Sequence, residues 1–352
     1  HPFVHTPAYF IDNHIFPPSL TPELFSKLNS ANYFTVYPPV CQVVFALATW
    51  VFPTSELGGV FVMKLFLLVC EIGTIRLLLR HTELAALTYA LNPLVILEIC
   101  GNCHFEGAMI FFLLAGISAL QQGKIAKGAL WWALATASKL LPIMFLPIVW
   151  RWLGWRNGWA FIAIFAMGCL VLFAPVLAVL PNILESLDLY FRQFQFNASI
   201  YYLVREIGFQ KIGWDIGEIS GPVLGGVMVL GVLIIAWRTR SLLVSELPDP
   251  ENRDKLSRSL STPLLFALFL YLSLSATVQP WYLTVPLALS CLMRWRFMIV
   301  WSGLVALSYS HYLGGGKQEN YGLIALEYGL LWGFLLWELS RIFVKKAAPN
   351  SS

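Results

Sequence analysis

The sequence predicts an all-α protein, a polytopic transmembrane helical bundle of about ten to twelve membrane segments with short surface helices in its outer loops. Three observations predict it. Of the 352 residues, 58% are hydrophobic and only 12% charged, against about 25% charged in a soluble domain. Mean hydropathy is +0.70. The apolar residues fall in long runs, and the basic residues collect in the breaks between them. Irregular backbone cannot face lipid, so each run is read as helix. The same numbers exclude an ordinary soluble globule and a disordered chain. A net charge of +4 with a pI near 8.7 is too mild for a polyanion partner, so no nucleic acid is expected.

The chain opens on His1 without the charged region or small-residue cleavage site of a signal peptide, and the native N-terminus is expected upstream. Residues 1–37 read as an outer loop rich in Pro, Asn, His and aromatics. Within it, Thr21 followed by Pro22 marks the start of a short amphipathic helix, with Thr21 as N-cap. Apolar runs follow at about 40–53, 58–79, 83–99, 106–121, 128–150, 159–180, 221–237, 262–277, 281–293, 297–312 and 322–343. The long polar breaks are 181–219 and 238–260, and 347–352 is a soluble tail. The organisation is therefore an outer loop (1–37), a membrane bundle (38–346) carrying the outer loop 181–219, and the tail.

The six cysteines lie mostly inside apolar runs and read as buried free thiols. Cys100 and Cys103, followed by His104, have the spacing of a haem attachment or half a metal site. No second ligand pair stands nearby, so no metal site and no cofactor is assigned.

Basic residues mark the cytoplasmic side. They occur at Arg76/Arg80, Lys124/Lys127, Arg151/Arg156, Arg238 through Arg258, Arg294/Arg296 and Arg341/Lys345/Lys346. Most intervals between them hold two runs. The interval from Lys127 to Arg151 holds one, with Lys139 and Pro142 at its centre. Proline removes a helical hydrogen bond, so two short helices are expected to meet at Lys139–Pro142, rising to the outer side and returning. Run 40–53 is short and opens on two prolines, which suits a re-entrant or partial crossing.

This arrangement places 101–106, 181–219, 279–282 and 311–321 on the outer face. They carry GNCHFE, a loop with Glu185, Asp188, Tyr190, Arg192, Gln193, Tyr201, Tyr202 and Arg205, then QPWY, then HYLGGGKQENY. Amides, carboxylates and aromatic platforms on one membrane face are what a sugar-binding site beside lipid needs. The competing reading is an interfacial Trp/Tyr belt.

Charges inside the apolar runs are costly and point to function. Lys64 and Glu71 are seven apart on one helix face, too far for a direct pair. Structural pairing of Glu71 or Glu98 with Lys64 is the plainer alternative. Lys139, a cation at a broken helix facing an outer cavity, suits a phosphate. His104 and Glu106 can orient a hydroxyl, although Glu106 also suits a helix N-terminus through the dipole.

These residues together resemble a family. Tyr37-Pro38-Pro39 closes an aromatic-rich loop, and Lys64 and Glu71 follow on one helix. Asn92-Pro93 leads through Gly101-Asn102 to His104 and Glu106, then Lys139-Leu140-Leu141-Pro142, a long loop, and Gln279-Pro280-Trp281-Tyr282. This ordered set resembles the GT-C membrane glycosyltransferases, above all the bacterial polyprenyl-phosphate-mannose-dependent mannosyltransferases. It is also similar to the catalytic subunit of the first GPI mannosyltransferase. The likeness covers residues 1–150 well, and the remainder by architecture and QPWY.

The resemblance implies a GT-C bundle in a bacterial inner membrane with its site on the periplasmic side. It implies inverting transfer of a hexose, mannose by likeness, from a polyprenyl-phosphate donor to a glycolipid or glycan acceptor. It places Lys139 and Arg192 at the donor phosphate. His104, Glu106, Tyr37, Gln279, Trp281 and Tyr282 position the substrates. The family's acidic first-loop motif is missing; Asp12 has none of its surroundings, so the catalytic carboxylate is expected upstream of residue 1. Some members use a metal, but no ligand set is visible here. Two other classes compete. A transporter or lipid flippase predicts paired broken helices and repeats, and only one break is found. A non-catalytic GT-C-like subunit predicts no transfer by the isolated protein.

Overall fold

The computed structural model describes residues 3–15, 21–28, 30–241, 253–293, 295–315 and 319–347. They form a bundle of helices, and no strand is present among the described residues beyond one isolated bridge between Phe196 and Thr277.

The N-terminal segment holds two short helices, α1 (Pro7–Asp12) and α2 (Pro22–Ser26). Each opens on Thr-Pro. Thr6 and Thr21 accept the backbone N–H groups of Tyr9 and Leu24, and the proline follows at the first helical position, as expected for α2. The two predicted outer loops meet. Asn182 donates to the Phe3 carbonyl at 2.9 Å, and the Ser186 hydroxyl accepts the Phe34 N–H at 3.1 Å.

The apolar runs all fall on helices. They are α3 (Pro39–Val51), α4 (Glu56–Leu79), α5 (Glu83–Ala90) and α6 (Pro93–Val95), the last continuing into a π-helical turn, Ile96–Gly101. Then come α7 (Glu106–Gln121), α8 (Ile125–Ser138), a 3-10 turn (Leu141–Phe145), α9 (Leu146–Leu153) and α10 (Trp155–Leu177). The outer-loop region supplies α11 (Leu180–Gln193) and α12 (Ile200–Ile212). The remainder is α13 (Gly217–Arg238), α14 (Arg253–Leu274), a 3-10 turn (Pro280–Leu283), α15 (Thr284–Ser290), α16 (Phe297–Leu304), a 3-10 stretch (Val305–Gly315) and α17 (Tyr321–Ala347). Positions 348–352 of the predicted tail lie outside the described residues.

Length separates these helices. Among the described residues, four are long and apolar enough to cross a membrane: α10, α13, Leu256–Leu274 of α14 and Tyr321–Arg341 of α17. α5 with Pro93–Gly101 makes a fifth, bent by 50°. Only 11% of the apolar window of α10 is buried against the protein, so its hydrophobic surface is left for lipid. This is an integral membrane protein. α3, at 13 residues, is about 20 Å long and too short to cross unaided, in keeping with its reading as a partial segment.

The centre is dry and aromatic. Trp132, Trp152, Trp301, Tyr89, Phe145, Phe161 and Phe297 are fully buried. Helices α7 and α8 approach closely through small residues, as membrane helices do. A Cβ on Gly128 would lie 2.5 Å from Leu120 Cδ2 and 3.4 Å from the Gly116 carbonyl, and one on Gly116 would meet the Trp132 ring at 3.2 Å. Gly128→Val is therefore expected to force the pair apart and destabilise the bundle by about 1–3 kcal/mol. A lowered melting temperature of the purified protein in detergent checks this.

Candidate functional site

The predicted break between two helices is present. α8 stops at Ser138, Lys139 is extended (φ −154°, ψ 136°), and the 3-10 turn begins at Leu141. The chain then doubles back along α8. Trp132 Nε1, two turns earlier, donates to the Pro142 carbonyl at 3.1 Å, and Phe145 meets the Trp132 ring edge-on. Lys139 is thus the tip of a helical hairpin. Its Nζ lies 2.9 Å from Glu106 Oε1; the ammonium side chain is 27% exposed and the carboxylate 2%. The half-exposed Tyr37 ring lies 5.9 Å from the same Nζ. Cys41 Sγ donates to the Ser138 carbonyl and ties the end of α8 to α3. One ammonium carries three N–H groups, so the contact with Glu106 leaves donors for an incoming anion. The second Glu106 oxygen is buried without a partner.

Beside this pair stands a second carboxylate. The π turn ends at Gly101, where Lys64 Nζ donates to the carbonyls of Cys100 (2.8 Å) and Gly101 (3.0 Å). A cation at the C-terminal carbonyls of a helix is favourably placed. This corrects the pairing of Lys64 with Glu71 or Glu98: its partners are backbone oxygens. Glu71 instead accepts the Tyr89 hydroxyl at 3.0 Å, buried below the start of α7. Gly107 makes room for it, since a Cβ there would lie 3.1 Å from Glu71 Oε1 and 2.6 Å from Ile99.

The fully buried Glu98 accepts from Asn102 Nδ2 (3.1 Å) and from the Tyr309 hydroxyl, and His104 Nε2 lies 3.2 Å from it. Cys103, with φ 60°, turns the chain so that His104 points back at Glu98. The imidazole stacks flat on Trp281, ring centres 3.9 Å apart at 14°. Two contacts therefore fix its plane and its edge.

The QPWY segment supplies the facing wall. Gln279 precedes the 3-10 turn, is 3% exposed, and its Oε1 has no partner. Tyr282 stands edge-on to Trp281 and packs half-buried against the core. Arg192 falls in α11 at a position whose side chain lies outside the described residues. The structure thus brings Tyr37, Lys139 and Glu106 into one cluster and His104 and Trp281 into the next, with Gln279 two residues from the stacked tryptophan. Glu98 and Tyr309 were not among the expected site residues. The signal for Glu98 was its charge inside an apolar run. Nothing local to Tyr309 marks it.

Residues 31–154 match the family model of the alpha-(1->6)-mannopyranosyltransferase N-terminal domain. A relative in Mycobacterium tuberculosis, alpha-(1->6)-mannopyranosyltransferase A, is 34% identical over 111 residues, covering 29% of this chain and 21% of the relative. The chain thus matches about a fifth of that protein's length. The family match takes in Tyr37, Lys64, Glu71, His104, Glu106 and Lys139. It bears out the resemblance to GT-C-type mannosyltransferases read from those motifs.

Proposed function

We propose that the protein is a GT-C-type glycosyltransferase that moves a hexose, mannose by likeness, from a polyprenyl-phosphate donor to a glycolipid or glycan acceptor on the periplasmic face of a bacterial inner membrane. The observation that carries this reading is the Lys139–Glu106 pair at the hairpin tip, set beside an imidazole held by Glu98 and Trp281. Segment 1–37 and loop 181–219 form the cover over a bundle spanning 38–346.

In this reading the acceptor hydroxyl attacks the anomeric carbon and polyprenyl phosphate departs with inversion. The phosphate gains charge as the bond breaks, and a preorganised cation there stabilises the transition state most. Lys139 takes that role, held in place by Glu106, with Arg192 as a second donor-side cation. The donor is already activated, so no nucleotide is required. With its Nε2–H turned to Glu98, the His104 imidazole presents Nδ1 as an acceptor able to orient a sugar hydroxyl. Trp281, Tyr282 and Tyr37 offer aromatic faces to sugar or lipid, and Gln279 offers an amide. A carboxylate serves as the base that takes the acceptor proton.

The test is transfer from polyprenyl-phosphate mannose to a short mannoside by the purified full-length protein in lipid. Radiolabelled product with that donor, and none with GDP-mannose, is the expected result. Uptake or flipping without product overturns the reading. Trp281→Ala removes the stacking partner of His104, which is worth about 0.5–1.5 kcal/mol. It is expected to raise the acceptor KM roughly three- to tenfold, read from initial rates.

A further inference from the structure

A second polar cluster lies at the same end of the bundle, outside the site above. The 3-10 stretch Val305–Gly315 joins the two. Tyr309 reaches Glu98, while His311, two residues on and about 4 Å further along the axis, lies 3.5 Å from Glu319. Glu319 Oε1 also accepts the Asn197 N–H and the Tyr202 hydroxyl, each at 3.1 Å. Its side chain is 13% exposed. One carboxylate oxygen therefore takes both of these bonds at the edge of the exposed surface.

Aromatic surface flanks it. Tyr312, stacked on the buried Phe196, and Tyr321, edge-on to Tyr202, are each 56% exposed. Arg205 lies over the Tyr202 ring, bonds Gln195 and donates to the Tyr321 hydroxyl at 3.1 Å. Beneath, the fully buried Asn197 and Glu327 meet through Nδ2 and Oε1, and Trp301 Nε1 donates to the same Glu327 oxygen at 2.8 Å. Asn197 Oδ1 and Glu327 Oε2 remain buried without a partner. Buried polar atoms are nearly always bonded. His311 Nδ1 is a third such unpartnered atom in this cluster. Burial and the Glu319 carboxylate push the Tyr202 hydroxyl pKa up, so it stays a donor to Glu319.

A partly exposed carboxylate, one guanidinium and two tyrosine rings each 56% exposed match a polyol with an apolar ring face. A small cation suits it less, because Arg205 is adjacent. A pin joining α12 to the start of α17 would account for Tyr202 and Asn197. It would not require two tyrosine rings left 56% exposed beside a partly exposed carboxylate.

We propose that the Glu319–Tyr312–Tyr321 cluster is a second carbohydrate-binding site, which holds a hexose of an extended glycan at a distance from the reacting sugar. That this glycan is the acceptor rests on the function proposed above; that the cluster binds sugar does not.

The experiment is titration of the purified full-length protein in nanodiscs with α-(1->6)-linked mannose oligosaccharides of two and six units, without donor, read by saturation-transfer NMR. The six-unit glycan is expected to bind at least about tenfold tighter than the two-unit one, two stacked rings being worth that much. Glu319→Gln and Tyr321→Ala are each expected to bring that ratio toward one. Equal affinity for both lengths, or a ratio that survives both substitutions, overturns the proposal. If Glu319→Gln melts early, Tyr321→Ala, on an exposed ring, decides. Length-dependent binding without transfer leaves this site standing and removes the transferase reading. Transfer without length-dependent binding does the reverse.

Discussion

Lys139→Ala in the full-length protein is expected to abolish sugar transfer while membrane insertion stays normal. Loss of a preorganised cation at the leaving phosphate accounts for about 10²- to 10³-fold in kcat. A second cost is separate from chemistry. Glu106 is 2% exposed, and its one charged partner is Lys139. Removing one member of such a pair leaves an uncompensated charge, at about 3–5 kcal/mol. The double variant Lys139→Ala/Glu106→Gln separates the two. It is expected to recover the melting temperature and not the turnover. Recovery of both would reduce Lys139 to a structural partner of Glu106 and sink its phosphate role.

Glu98→Ala is expected to produce the second large effect. Two donors converge on this carboxylate, Asn102 Nδ2 and the Tyr309 hydroxyl, and His104 Nε2 lies 3.2 Å from it. Hydrogen bonds to a charged group contribute about 1.5–3 kcal/mol each. The loss frees the imidazole edge while Trp281 still holds its face. A fall of roughly 100-fold in kcat/KM is expected, with a lowered melting temperature, as one such bond lost in the transition state gives. His104→Ala should then cost little more on top of Glu98→Ala, since the two act as one unit. Additive losses in that double-mutant comparison would show that His104 and Glu98 act independently.

What the sequence made legible was local. A lysine and a proline three apart inside an apolar run announce a broken helix, and the hairpin tip at Lys139 is there. Thr21-Pro22 announces a capped helix start, and Thr21 accepts from Leu24. The segment from Asn102 to Glu106 carries its chemistry in five consecutive residues. What stayed hidden was reach across the chain. Tyr309 meets Glu98 from 211 positions away, and Tyr328 donates to the Asn197 carbonyl from 131 away. No periodicity marks such pairs. The partner of Lys64 was hidden for a different reason. Spacing shows which face a lysine occupies, but not that another helix ends opposite it and offers bare carbonyls. Membrane crossing was legible as hydropathy, whereas the shortness of α3 and the bend after Ala90 depend on where prolines fall within each run.

The π turn at Ile96–Gly101 carries a consequence for how such chains diversify. A π turn accommodates a residue beyond the ordinary helical repeat. Deleting one residue there would restore α pitch and close the turn one residue earlier, which moves Glu98, inside the turn, against the segment that follows it. The contacts of Glu98 with Tyr309 and His104 would change together, in a single genetic event that no point substitution reproduces. Sister sequences one residue shorter between Asn92 and Gly101 should therefore have rebuilt this wall with other side chains, and a length polymorphism in that turn becomes a marker of altered substrate choice.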